Sequence, residues 1–476
     1  MKECTPFVHL FRTPGGYYIY DVNRNVIIKT QQSVWENIRD MKSNLCKLER
    51  ENSLIARMID DGFLSSNKIK SIIHPADDIF MYYLNRKIKM ITLQVTQQCN
   101  LRCDYCVYSG GYENRSHSKK RMDFEMAKNC IDFYIEHSVD SEFIIVGFYG
   151  GEPLIEFELI QKCILYVESI SEGKKLMFTI TTNGTLLKEN IIQFLAQHEV
   201  ILRISLDGPR EIHDRSRRFA FDNCGTFDRV IENVAIIKDK FPEYYNKISF
   251  STVLNQENDL SCISQFFTDY ETIKDVKVFT SEIVDYYAKN QISETEDYHC
   301  KLGYEHFKAL LSKLTSFEEK YISKIVANDY TNLERIYYQL SPSEGLSEKS
   351  HHSGPCIPGT QRLFVNADGD MFPCERVSES SEVMNIGNIN KGFNLEKIRR
   401  LLNVGTISED KCKNCWAFRF CILCCASADT GSGLSGDKKT SKCVRVRNMA
   451  ENNLKDICTL KENNFDFGND NWFVSA

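Results

Sequence analysis

No run in this 476-residue chain approaches the ~18 consecutive apolar residues of a membrane-spanning helix. The opening residues, Met1-Lys-Glu-Cys-Thr-Pro6, carry no long apolar core and do not read as a secretion signal. No long basic stretch occurs. With 59 Lys and Arg against 65 Asp and Glu the net charge is −6, so composition gives nucleic-acid binding no support. Membrane and nucleic-acid partners are not expected. The chain is 42% hydrophobic and 26% charged, which is ordinary for a globular protein, and its length suggests about two to four domains. Cysteine is abundant, with 19 residues. Without a secretion signal the expected location is cytoplasmic and reducing. Clustered cysteines there read as metal ligands, not disulfides. Cys4, Cys46, Cys130, Cys163, Cys224, Cys262, Cys300 and Cys458 are scattered and are expected to be small buried hydrophobes.

The first cluster is Cys99-Asn-Leu-Arg-Cys103-Asp-Tyr105-Cys106, a C-x3-C-x2-C triplet just after the strand-like Ile91-Thr-Leu-Gln-Val95. Soft thiolates suit iron–sulfur clusters. Three of them can hold three irons of a 4Fe–4S cluster and leave the fourth open to a small molecule. A structural zinc would need a fourth ligand, and no nearby Cys or His obviously supplies one.

Periodicity divides the chain. Residues 1–85 read as short strands, Phe7–Phe11, Tyr17–Tyr20 and Val26–Ile28, with turns at Pro14-Gly-Gly16 and Asp21–Asn25. Amphipathic helices follow, around Val34, Trp35 and Ile38 and around Leu54, Ile55, Met58 and Ile59. The second stops at Asp61-Gly62. Residues 86–285 alternate strand and helix. The strands are predicted at Ile88–Val95, Phe143–Tyr149, Leu176–Thr181, Val200–Ser205, Ile248–Leu254 and Val276–Thr280. Helical faces are expected at Phe157, Ile160, Ile164 and Val167, and at Phe124, Ala127, Ile131 and Tyr134 after an Asp123 N-cap. Six βα units imply an α/β fold with a parallel sheet and chemistry at the carboxyl ends of its strands. Residues 286–350 read as a helical bridge with Tyr304, Phe307, Leu311 and Leu314 on one face. Residues 351–458 hold the second cysteine cluster, and 459–476 form an unassigned tail.

The triplet with Tyr105 before its last cysteine, followed one strand later by Gly150-Gly151-Glu152-Pro153, resembles the radical S-adenosylmethionine (SAM) enzymes. The resemblance implies a partial (β/α)6 barrel, with Cys99, Cys103 and Cys106 holding a 4Fe–4S cluster whose open iron chelates SAM. Gly150 and Gly151 would let the backbone approach the methionine amine, and Glu152 would offer it a negative partner. Thr181-Thr-Asn183-Gly, Ser205-Leu-Asp-Gly-Pro209 and His213-Asp-Arg-Ser-Arg217 are similar to stretches in anaerobic sulfatase-maturating enzymes and peptide maturases. By that likeness Tyr105 and Asn183 line the SAM site, while Ser205 and Arg217 hold the ribose and the carboxylate. A guanidinium fork suits a carboxylate.

Cys356, Gly369, Cys374, then Cys412-x2-Cys415-x5-Cys421-x3-Cys425, then Cys443, resembles the SPASM domain pattern at all seven cysteine positions. The family's interlaced wiring implies two auxiliary 4Fe–4S clusters. Cys412, Cys415, Cys421 and Cys443 would hold one. Cys356, Cys374 and Cys425 would hold the other, with an iron left open unless Cys424 substitutes or competes. Glu375, directly after Cys374, stands where the sulfatase-maturating relatives carry an aspartate that acts as a base, and by that likeness it is the catalytic candidate for removing a substrate proton.

The N-terminal pattern resembles the winged-helix-like peptide-recognition element of ribosomal-peptide maturases, which binds a leader by strand addition to a sheet edge. Cys106-Val-Tyr-Ser-Gly110 followed by Tyr149-Gly-Gly-Glu-Pro153 is similar to maturases of cysteine-rich peptides. The resemblance therefore implies a radical SAM oxidoreductase acting on a leader-bearing, cysteine-containing precursor peptide. It would install a thioether and draw electrons from an external flavodoxin- or ferredoxin-type reductant. The alternatives are a carbon–carbon or carbon–oxygen crosslink, or formylglycine formation.

Overall fold

The computed structural model describes residues 5–43, 53–109, 111–171, 173–283, 286–290, 295–327, 329–468 and 473–475. Cys4, Cys46 and Gly110 lie outside the described residues.

β1 (Val8–Thr13), β2 (Gly16–Asp21) and β3 (Val26–Thr30) form an antiparallel sheet. The second turn is closed by the Asp21 carboxylate, which accepts the Arg24 N–H at 3.0 Å, and by Asn25 at φ +55°. Helices Gln32–Ser43 and Ser53–Asp60 follow, and the chain leaves the second through Gly62 at φ +84°. A two-residue strand, β4 (Ser71–Ile72), precedes the main sheet.

That sheet begins with β5 (Ile91–Thr96), β6 (Phe143–Gly150), β7 (Lys175–Thr182), β8 (Ile201–Ser205), β9 (Ser249–Leu254) and β10 (Lys277–Glu282). All are parallel and pair in sequence order, with helices covering the outside. Asp123 caps helix Phe124–Glu136 by accepting the Met126 N–H at 2.8 Å. The first strand starts later than the apolar pattern suggests. Ile88 is fully buried, but its N–H goes to the His137 carbonyl and its carbonyl to the Ser138 hydroxyl, so its backbone belongs to a helix end.

β11 (Lys349–Ser350) pairs with β4. The main sheet then continues past β5 into the cysteine-rich region. β12 (Leu363–Val365) lies parallel to β5, and β13 (Asp370–Phe372), β14 (Gly387–Asn388) and β15 (Gly392–Phe393) extend it antiparallel. β5 is buried at all six residues because it has a strand on each side and a helix layer over it. β16 (Phe473–Ser475) returns to the N-terminal sheet and pairs parallel with β3 along Ile27–Lys29.

Two expectations are corrected. Helix Glu296–Leu314 buries Tyr298, Glu305 and Ala309; of the predicted face Tyr304 and Phe307 are 60% and 56% exposed, while Leu311 and Leu314 are half-buried, so only the first half of that face points outward. Of the scattered cysteines, Cys130, Cys163 and Cys458 are buried, but Cys224, Cys262 and Cys300 are exposed.

Candidate functional site

The loop Cys99–Cys106 leaves the carboxyl end of β5 and is stitched to the loop after β6. Gly151 N–H donates to the Thr96 carbonyl at 3.0 Å and Glu152 N–H to the Gln98 carbonyl at 2.8 Å. The glycines are required here by the chain itself. A Cβ on Gly150, at φ +149°, would sit 2.1 Å from the Thr96 oxygen, and one on Gly151 would sit 2.2 Å from the Gln98 oxygen. The expected partner of both glycines was the methionine amine, but their immediate partner is the cysteine loop. Glu152 is likewise held by the chain itself. Its carboxylate is fully buried and accepts from Leu154 N–H at 3.0 Å, Thr182 Oγ1 at 2.7 Å and Asn183 N–H at 2.7 Å, so it ties the ends of β6 and β7 together. Burial pushes its pKa up to about 7 against those three donors.

Backbone N–H groups of Leu101 and Tyr108 point at the Cys99 and Cys106 sulfurs at 3.3 and 3.4 Å, and the Asn183 amide reaches Cys99 Sγ at 3.8 Å. Burial pushes the Cys99 and Cys103 thiols up to about 12. Such thiols become ligands only when a metal's charge offsets the desolvation. Among the described residues no three Cys, His, Asp or Glu side chains converge on one point as a single metal ion requires. On a tetrahedral zinc, with Zn–S of ~2.3 Å, thiolates crowd together, whereas cluster ligands stand farther apart on separate irons. The donor set therefore fits a cluster better than zinc.

Arg217, expected to meet the SAM carboxylate, is already paired. Its Nε donates to Asp207 Oδ2 at 2.7 Å and an Nη to Oδ1 at 3.3 Å, with both side chains under 10% exposed. Its guanidinium carbon lies 5.4 Å from the centre of the Tyr105 ring, and the Tyr105 hydroxyl donates to the same carboxylate. The Arg217 charge overrides burial and holds the Asp207 carboxyl below its usual range. Behind it, His213 accepts the Asp207 N–H at Nδ1 and contacts Thr226 at 3.0 Å, and burial pushes its pKa down to about 3. Asp207 was missed because a single acid inside Ser205-Leu-Asp-Gly-Pro reads as a turn residue. Ser205 stands at the carboxyl end of β8, paired in register with Ser251, and Arg217 reaches the same end of the sheet through Asp207.

The C-terminal cysteines fall into two groups. Cys412, Cys415, Cys421 and Cys443 line one cavity of about 390 Å³ together with His352 and Lys439. Lys439 is 1% exposed; its ammonium donates to Ser408 Oγ at 2.9 Å and to Cys412 Sγ at 3.7 Å. His352 is 2% exposed, and neither ring nitrogen has a hydrogen-bond partner. The second group is Cys356, Cys374 and Cys425, and Cys424 joins it. The Cys356 and Cys374 thiols each feel the Cys424 thiol, and Cys425 feels all three. A Cβ on Gly354 would overlap the Leu423 carbonyl at 2.1 Å, so the close approach of these two segments brings Cys356 beside Cys424.

Residues 93–262 match the radical SAM superfamily, and residues 356–416 match an iron–sulfur cluster-binding domain, SPASM. The chain therefore carries a radical SAM domain followed by an iron–sulfur cluster-binding SPASM domain. It is 23% identical to the radical SAM cyclopropyl synthase TigE of Paramaledivibacter caminithermalis, over 79% of this chain and 77% of that one. It is also 23% identical to the cysteine-type anaerobic sulfatase-maturating enzyme of Clostridium novyi, over 78% of this chain and 96% of that one. The fold matches the solved structure of native anSMEcpe with bound AdoMet at a TM-score of 0.58 and 22% identity, covering 76% of this chain and 99% of that one. The enzyme accordingly uses a 4Fe–4S cluster with SAM and auxiliary iron–sulfur clusters. No helix among the described residues is long and apolar enough to cross a membrane.

In this radical SAM/SPASM enzyme Glu375 sits between the two halves. One carboxylate oxygen pairs with Arg362, and the other is buried with no hydrogen-bond partner. The Tyr149 phenol, at the end of β6, lies near both the Glu375 carboxylate and the Cys106 thiol. Arg115 joins the halves. It is 8% exposed, packs its guanidinium among Tyr108, Tyr149 and Phe364, pairs with Glu379, and donates to the carbonyls of Glu375 at 2.7 Å and Val377 at 3.2 Å. A lone arginine in a polar loop gives no signal of this in the sequence.

Proposed function

We propose that this maturase abstracts a hydrogen from a ribosomally made, cysteine-containing precursor peptide and installs a thioether between a cysteine sulfur and carbon. The observation that carries the reading is Glu375. A buried carboxylate oxygen without a partner lies beside Tyr149, between the radical-generating cysteines and the auxiliary cysteines. A base at that point can take the thiol or backbone proton that must leave when a crosslink forms. When bound, SAM on its cluster supplies the hydrogen-abstracting radical, and the auxiliary clusters supply an electron sink. Cys99, Cys103 and Cys106 would hold the first cluster, and Tyr105, Asn183, Ser205 and Arg217 would line the SAM site. Gly150, Gly151 and Glu152 keep its floor in shape.

Strands β1–β3 and the helices after them support leader recognition by strand addition, in a four-stranded sheet whose β3 edge β16 already covers. A flavodoxin- or ferredoxin-type protein would deliver the first electron. A second reading, a carbon–carbon or carbon–oxygen crosslink, is favoured by one observation. Cys424 stands with Cys356, Cys374 and Cys425, and a fourth thiol there would close the iron that could otherwise take a substrate thiolate. Formylglycine formation is the remaining alternative. It gains weight from the sulfatase-maturating relatives, although about a quarter of this chain lies outside the structural match to one of them.

The test is mass spectrometry of a small cysteine-containing peptide encoded beside this gene, co-expressed anaerobically and then alkylated. Loss of two hydrogens per link with thiols blocked and resistant to reduction supports the thioether. The same loss with free thiols supports the second reading, and an aldehyde supports formylglycine. With Glu375→Gln, label transfer into 5′-deoxyadenosine is expected to persist while product falls by about 10²-fold or more. Equal loss of both would remove Glu375 from the base role.

A further inference from the structure

The Lys439 ammonium is the most deeply buried lysine charge among the described residues, at 1% exposure, and no carboxylate there pairs with it. Its hydrogen-bond partners are a hydroxyl, Ser408 Oγ, and a cysteine sulfur, Cys412 Sγ. Ser408 Oγ lies 3.3 Å from that same sulfur, so the three groups form a triangle at one wall of the cavity. A buried charge without a counter-charge costs several kcal/mol, and proteins keep one only where an anion answers it. Four thiolates around an oxidised 4Fe–4S core sum to a net charge of about −2, and Cys412, Cys415, Cys421 and Cys443 line the cavity that Lys439 faces. His352 faces the same cavity. It is 2% exposed, lines that cavity, and has two unpartnered ring nitrogens, either of which could donate to a cluster sulfur.

We propose that Lys439 is the built-in counter-ion of the auxiliary cluster held by Cys412, Cys415, Cys421 and Cys443, and that it raises that cluster's reduction potential so that it accepts an electron more readily. Net charge and hydrogen bonds to sulfur are the levers that set such potentials. Reduction adds one negative charge, and a fixed ammonium beside the Cys412 sulfur stabilises the reduced form more than the oxidised one. Lys439 touches the cluster's ligand and no substrate, so it is a positioning residue. The helix Gly436–Thr440 carries it, and that helix is N-capped by Ser435, whose hydroxyl accepts the Lys438 N–H at 3.2 Å.

The proposal rests on this site being an auxiliary cluster, and the experiment separates the two. Full-length protein carrying Cys99→Ala, Cys103→Ala and Cys106→Ala would be reconstituted so that only auxiliary iron remains. Its reduction would be followed by EPR-monitored redox titration. Lys439→Met is expected to lower one auxiliary potential by at least a tenfold change in the oxidised-to-reduced ratio, 59 mV for a one-electron couple. The second auxiliary cluster is the internal control and is expected to stay put, and Lys439→Arg is expected to track the unsubstituted protein. No movement with Lys439→Met, or equal movement of both clusters, would overturn the proposal. If Lys439→Met fails to take up this cluster, normal uptake by Lys439→Arg supports the counter-ion role, and loss in both variants overturns it. If replacing Cys412 and Cys415 by Ala leaves the iron content unchanged, the cluster reading itself has failed.

Discussion

Asp207 and Gly151 carry more of the radical site than their motifs suggest. Asp207→Asn leaves the Arg217 guanidinium buried without its counter-charge, which typically costs about 3–5 kcal/mol. Urea unfolding should register that loss, and SAM affinity should fall as Arg217 and Tyr105 lose their common anchor. The pH dependence has a definite sign. The Asp207 carboxyl is held below its ordinary value of 3.8, so it contributes stability above that value and loses it as pH falls toward the lower folded value. In the Asn variant, acid unfolding should lose that component. Gly151→Ala pushes a methyl group into the Gln98 carbonyl at 2.2 Å, so the cysteine loop must move. Iron bound to the radical cluster is expected to drop on the Cys356→Ala and Cys412→Ala background, while auxiliary iron is expected to stay on the Cys99→Ala, Cys103→Ala and Cys106→Ala background, both read by iron analysis.

The strands of the barrel were legible in the sequence because each is a short apolar run bounded by turn residues, and periodicity identifies such runs well. In helix Glu296–Leu314 the face was misread at Tyr304 and Phe307, which fit a helical spacing with the half-buried Leu311 and Leu314. Only the neighbouring helices decide which stripe turns inward. The tail was not legible at all. A three-residue strand has almost no pattern of its own, and β16 forms because the edge of β3 is available to it. That edge is one on which an added peptide strand could lie. Removing residues 473–476 is therefore expected to expose the amides of Ile27–Lys29. Hydrogen exchange at those residues should quicken, and a peptide that binds by strand addition should bind more tightly. Unchanged exchange would mean that β16 contributes nothing to the edge.

The N-terminal sheet does not stand apart from the rest. Tyr18, Tyr20, Ile27 and Ile28 share one buried core with Leu333, Tyr337, Ala417, Phe420, Leu454 and Ile457. Tyr20 lies 5.2 Å from Phe420, between Cys415 and Cys421, and His9 stacks on Trp416 at 3.5 Å. Tyr20→Ala is expected to cost about 3–5 kcal/mol, as large aromatic deletions in cores do. It should also loosen the cluster at Cys412, Cys415, Cys421 and Cys443, although it lies some 400 residues away in the chain. Thermal unfolding together with auxiliary iron content checks both. By contrast, replacing Cys99, Cys103 and Cys106 together should abolish SAM cleavage and leave the C-terminal iron in place, because the two cysteine groups belong to separate loops.

Sequence alone determined the chemistry. Cysteine spacing, the Gly-Gly-Glu-Pro turn and the six apolar strands are local patterns, and local patterns survive reading in one dimension. Tertiary structure decided which groups answer one another across the chain. It paired Arg217 with Asp207 and set Arg115 between the radical loop and the auxiliary hairpin. It also turned Lys439 toward four cysteines and laid β12 beside β5. These are long-range matches of charge, hydrogen bonding and sheet edge. Their partners lie far apart in the chain, and only the folded protein brings them together.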